Sequence, residues 1–171
     1  MIDLLLASAL FSGAIQAAPP PAAEPQVVFA DVRIRGVADP RAFVAATYAH
    51  YQAHPDRPPL NQNYAYSPRL RRLVDAYDAW QRQHQDLVGA LDFDWWTNAQ
   101  DYQIRNLRLT VRNEGRGLRW IIARFDNYDR HDEVRFRFVR QSGRWFLDDA
   151  VQGTGRGDNG WTLSALLQSR E

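Results

Sequence analysis

Apolar residues recur along this chain at two spacings, and the spacing changes once, between Trp96 and Leu107. Before the change the steps are three and four residues. Phe43, Val44, Thr47, Tyr48 and Tyr51 share one helical face, and Leu70, Leu73, Tyr77, Trp80, His84 and Leu87 form a second stripe of about five turns at 3.6 residues each. Start signals agree with the stripes: Asp39 before Pro40, and Ser67 before Pro68, place a side-chain oxygen ahead of a proline that has no N–H to satisfy. The prolines at 55, 58 and 59 stop the first helix and leave a loop through Tyr66.

After the change the period is two. Leu107, Leu109 and Val111 alternate with Arg108, Thr110 and Arg112; Val134, Phe136 and Phe138 alternate with Arg135 and Arg137. Between them, Leu118 to Phe125 is apolar on both faces, as an interior strand covered on both sides would be. Arg144 to Val151 makes a fourth strand, and Asn113 to Gly117, Asp126 to Asp132 and Gln141-Ser142-Gly143 supply the turns. A Gly-rich loop from Gly153 to Gly160 leads to a last helix carrying Leu163, Leu166 and Leu167, and Val27 to Val37 reads as a short edge strand. The pattern predicts an α+β fold: a curved antiparallel sheet of about four strands with two or three helices packed on its concave face, in a cone-like arrangement.

Composition adds limits. With 171 residues, 45% hydrophobic and 12% aromatic, the chain can bury one sizeable core, so residues 27–171 are expected to form a single domain. A net charge of +1 gives no field-based case for nucleic acid as a partner. The apolar run Leu4 to Ile15 is too short to span a bilayer and ends in small residues, the outline of a signal peptide over residues 1–18, although Asp3 is its only charged side chain and a short buried helix is the alternative. An Ala/Pro-rich linker follows over residues 19–26. With no cysteine there is no disulfide and no lipid-modified anchor, so export implies a periplasmic or secreted protein without an integral membrane anchor.

Candidate chemistry centres on Leu91-Asp92-Phe93-Asp94-Trp95-Trp96, where two carboxylates and three aromatics fall at the junction of helix and strands. Such a run suits a ligand pocket, and it equally suits a packed corner in which the Asp side chains cap backbone amides. Asp92, Asp94 and Asp101 could together hold a cation, but the run lacks the ligand density and turn glycine of a calcium loop. Strict alternation along the fourth strand puts Asp149 on the face of Trp145, Leu147 and Val151, either as a pocket carboxylate or as a structural one held by the Gly153 to Gly160 loop or an arginine such as Arg124. His50 and His54 stand at zinc-ligand spacing with no third ligand in context. No nucleophile elbow, phosphate loop or dinucleotide fingerprint is present, and no cofactor or metal is expected.

The helix Asp39-Pro40-Arg41-Ala42-Phe43-Val44, the Ser67-Pro68-Arg69-Leu70 start, Leu91-Asp92-Phe93-Asp94, Gln100-Asp101 and the strand Trp145-Phe146-Leu147-Asp148-Asp149 together resemble bacterial envelope proteins of the domain of unknown function 3828 family. The order of elements resembles the nuclear transport factor 2-like, cystatin-related fold. That resemblance covers Asp39 to the C-terminus; it implies a fold and an exported location and assigns no activity. The expected function is a non-enzymatic binding or interaction module for a small molecule or an envelope protein, with a concave opening lined by Tyr48, Tyr51, Tyr77, Trp95, Trp96 and Asp149 beside Asp92 and Asp94. Two other classes stay open: an isomerase- or hydratase-type enzyme pairing Asp149 with Tyr48 or His84, and an inhibitor or immunity protein that uses exposed aromatics as hot spots.

Overall fold

The computed structural model describes residues 35–55, 57, 62–153 and 160–169. The expected signal peptide, the linker, the edge strand up to residue 34, the proline pair at 58 and 59 and the interior of the Gly-rich loop lie outside the described residues. Helix α1 spans Pro40–Ala53, α2 Pro68–Gln83 and α3 Leu163–Leu166; strands β1 Ile104–Glu114, β2 Leu118–Asn127, β3 Arg130–Gln141 and β4 Arg144–Gln152 pair antiparallel in the order β1-β2-β3-β4. The fold is α+β, an open curved sheet with three α-helices among the described residues. Among the described residues no helix is long and apolar enough to cross a membrane.

Both long helices start as their sequences predict. Asp39 accepts a hydrogen bond from the Arg41 amide at 2.9 Å, and the Ser67 hydroxyl accepts from the Leu70 amide at 3.0 Å. Helix α1 lies over β1, β2 and β4 and buries Val44, Thr47, Tyr48 and Tyr51. In the same core cluster the sheet supplies Ile121, Ala123, Phe136, Phe138 and Leu147, all with no exposed surface, and Tyr48 packs on Phe136 and Phe43 on Phe138. These belong to one face, since Ile121 pairs with Phe136, Phe136 with Ala150 and Phe138 with Leu147. The opposite face of β2 is not covered as the sequence suggested: Trp120 and Ile122 are only half-buried, and Trp120 lies in register between Arg112 and Arg137. Arginine stems can shield apolar surface while their heads stay in water, which accounts for an apolar outer face with no helix on it among the described residues.

The second stripe also falls short of its expected length. Helix α2 ends at Gln83, with His84 as its cap, and only Leu70 and Tyr77 of the stripe are buried. Trp80 is half-buried, stacked on the His84 ring at 5.0 Å, and Leu87 lies beyond the helix with 48% of its surface exposed. The main contact of α2 with the sheet is with β4, and the far half of the stripe is packed against the core only in part, through Leu73 and Trp80.

Strand β4 ends the ladder, yet its outer edge is not bare. Val37 exchanges backbone hydrogen bonds with Trp145 at 2.7 and 2.9 Å, the Ser67 amide donates to the Leu147 carbonyl at 2.7 Å, and Gln152 exchanges bonds with Trp161. At the turn into β4, Ser142 and Gly143 both have positive φ, 47° and 78°, as a two-residue hairpin turn requires. The register between β3 and β4 slips at Asp148: Arg137 faces Asp149 while Phe138 faces Leu147. That extra residue is a β-bulge, and it turns every side chain after it to the other face.

Candidate functional site

The loop from Leu91 to Gln100 folds back on itself. The Asp94 amide donates to the Ala99 carbonyl at 3.0 Å, and the Trp96 and Thr97 amides return to Asp94, one to its carboxylate at 2.8 Å and one to its carbonyl at 3.2 Å. Asp94 therefore does the local capping that an Asx turn predicts, and its second carboxylate oxygen accepts the Tyr51 hydroxyl at 2.5 Å. One turn earlier on α1, Tyr48 donates to the Trp96 carbonyl at 2.7 Å. Two tyrosines of one helix face thus fasten the loop to the core.

The aromatics finish the attachment. Trp96 is buried against Phe136, with ring centres 4.4 Å apart, and stacks on half-buried Trp95 at 4.9 Å. Asn98 adopts a left-handed backbone, φ 53°, that asparagine tolerates better than most residues. Its side chain donates to Asp132 at 2.9 Å and accepts from the Trp161 indole at 2.8 Å, and its carbonyl accepts from Arg130 at 2.8 Å.

Between this loop and the segment ahead of α2 lies an open cleft of about 650 Å³, within the range of small-molecule sites. Tyr51 and Tyr66 line its inner side, and Phe93, Trp95 and Trp96 form an aromatic wall. The polar lining is Asp92, Asp94, Gln62, Asn63 and Gln100. Burial pushes the Asp94 carboxyl above the usual carboxylate range, opposed by the hydrogen bonds from Tyr51, Trp96 and Thr97. Burial first, and then the adjacent Asp94 charge, push the Tyr51 hydroxyl up, so the shared proton stays on the tyrosine. Asp92 is exposed, and among the described residues its carboxylate has no hydrogen-bond or ion-pair partner.

The structure brings together Tyr51, Asp92, Asp94, Trp95 and Trp96 from the sequence-derived set and leaves three others outside the lining. Tyr48 is fully buried beneath the loop. Tyr77 is 5% exposed, and its hydroxyl accepts from the Leu91 amide at 3.0 Å, so it holds the start of the run without facing the cleft. Asp149 is turned away by the bulge: its carboxylate accepts from the Ala150 amide at 3.0 Å, the Ser164 amide at 3.0 Å and hydroxyl at 2.6 Å, and Arg69 at 3.0 Å. Arg124, the partner suggested for it, pairs with Glu133 at 2.7 Å. His84 is taken up with Trp80, its Nδ1 lying 2.9 Å from the Trp80 carbonyl, and does not line the cleft. Asp101 faces a neighbouring pocket of about 320 Å³, and among the described residues no three His, Asp or Glu side chains form a metal-ligating group.

Gln62, Asn63 and Tyr66 carry no site signal in the sequence, and Gln100 enters there only through the Gln100-Asp101 pair of the family resemblance. Periodicity stops in loops, and only the Ser67 cap, which fixes where Tyr66 leaves the loop, carried any signal of their direction. Comparison with protein-family models, curated proteins and solved structures finds no match for the chain. The class that fold and site define is thus an α+β domain with an acidic, aromatic-walled cleft.

Proposed function

We propose that this chain is an exported, non-enzymatic binding module of the nuclear transport factor 2-like type, and that its ligand site is the cleft at Asp92 to Trp96. The observation that carries the reading is the convergence of an unpaired carboxylate, Asp92, with an aromatic wall on a loop anchored from α1 by Tyr48 and Tyr51. A small molecule is favoured over a protein partner because the large apolar side chains most exposed among the described residues are Leu87, Val88, Val111 and Tyr128, none of which lines the cleft. Export rests on the sequence of residues 1–18, and intact-mass analysis of protein made in a Gram-negative host tests it by loss of about that segment.

The cleft is tested by a thermal-shift screen of small molecules from different chemical classes on wild type and Trp95→Ala. Compounds that raise the wild-type midpoint are expected to lose their effect in the variant. If hits act equally on both proteins, the cleft is not the site. A second reading, acid–base catalysis, has one specific support: a buried carboxyl with raised proton affinity in contact with a tyrosine hydroxyl. It predicts that Asp94→Asn retains binding of a hit compound and abolishes its turnover.

A further inference from the structure

The cleft is acidic in a chain whose basic residues are plentiful. Arg and Lys number 21 and His 4, yet no basic residue lines it among the described residues, while Asp92 and Asp94 both do. An anion entering would meet two like charges with no counter-charge. The lining also offers acceptors to an N–H donor. Gln62 donates its amide nitrogen to the Thr47 hydroxyl at 2.7 Å, which leaves its carbonyl oxygen, an acceptor, for the cleft. The Tyr51 hydroxyl proton is committed to Asp94.

The aromatic wall points the same way. Ring faces carry partial negative charge and attract a cation within about 6 Å. Resting on the reading of the cleft as a ligand site, we propose that its ligand is an organic cation carrying an alkylammonium group, its N–H donors taken by Asp92 and the Gln62 carbonyl and the methylene next to its nitrogen, which shares the positive charge, against Trp95 and Phe93. Asp94 is a positioning residue in this arrangement, because both of its oxygens already accept hydrogen bonds from Tyr51 and the Trp96 amide.

Three probes that share one alkyl chain and differ in charge test the assignment: n-butylammonium, n-butanol and n-butyrate. Each is titrated to about 100 mM, where binding worth about 1.4 kcal/mol is half-saturated, and followed by the indole N–H resonances of the 15N-labelled protein. The ammonium is expected to shift the Trp95 and Trp96 signals saturably and to bind about tenfold more tightly than the alcohol. Butyrate is expected to leave both signals in place. Asp92→Asn should cut the preference for the ammonium about threefold, the range of one exposed charge pair. Equal response to ammonium and alcohol, or tighter binding of butyrate, overturns the charge assignment and leaves the cleft as a ligand site. Silence of both indoles to all three probes overturns the cleft reading as well.

Discussion

Asp149→Ala separates scaffold from site. In the folded protein this carboxylate receives two bonds from Ser164, at the first turn of α3, and one from Arg69 on α2, so it ties two helices to β4. Hydrogen bonds to a charged acceptor contribute about 1.5–3 kcal/mol when buried. Ser164 is only half-buried, and water can take over part of what it loses, so its two bonds together are worth about 2 kcal/mol. The Arg69 side chain is 42% exposed and keeps Asp148, at 3.3 Å, so its share is at most about 1 kcal/mol. Asp149→Ala should therefore destabilise by about 2–3 kcal/mol, read as the shift in urea midpoint at unchanged slope. Asp149→Asn keeps an acceptor oxygen for the Ser164 amide but turns an N–H donor toward Arg69 or the Ser164 hydroxyl, and should cost about half as much. In both variants the affinity of any cleft ligand should stay at the wild-type value. A loss below about 0.5 kcal/mol, the range of ordinary surface changes, or a ligand affinity that falls with the substitution, would refute the placement of this residue as scaffold.

The Tyr48 hydroxyl donates to a buried carbonyl, so Tyr48→Phe should cost about 1–2 kcal/mol in urea melts and weaken cleft binding; unchanged values for both would detach the loop from α1. A carboxyl whose folded pKa lies above its unfolded value binds more protons when folded, so the Asp94 contribution makes stability fall as pH rises from about 3.9 through the raised folded value. Melts of wild type and Asp94→Asn across that window should diverge with this sign, and parallel curves would contradict it. Leu70 has no exposed surface and Trp80 is half-buried, so Leu70→Ala should cost about 3 kcal/mol and Trp80→Ala about 2 kcal/mol or less. The reverse order of costs would place the far half of α2 against a partner.

Where one physical rule acts alone, the chain is legible. The alternation at Val134, Phe136 and Phe138 marks the buried face of β3 because a strand has no other way to present three successive apolar side chains to one core. The starts of α1 and α2 are legible because an Asp or Ser oxygen before a proline has few uses other than capping. Asp149 is not, since alternation assumes an unbroken ladder. The bulge at Asp148 is set by what lies across from it: Ser67 donates to its carboxylate at 2.6 Å and Arg137 at 2.5 Å, from elements 81 and 11 residues away in sequence. Likewise the stripe through Trp80 and Leu87 records an apolar face without recording whether a sheet lies beneath it.

Of the candidate site, sequence carried the run itself and not the reason it forms a wall. Asp92 and Asp94 are two apart, and extended chain would give them a common face; the turn closed by the Ala99 carbonyl instead assigns them different work, Asp94 inward to Tyr51 and the Trp96 amide, Asp92 outward and unpaired. The loop's far end is fixed by Asn98, which joins the β2–β3 hairpin through Asp132 and Arg130 to the C-terminal segment through Trp161. Trp161 in turn packs on Phe93 at 5.7 Å, on the run that forms the aromatic wall. Both ends of the run are therefore held by segments remote in sequence, so the geometry of the cleft depends on the closed fold. A ligand seated there binds the folded state and not the unfolded chain, which is why its affinity is readable as a rise in melting midpoint.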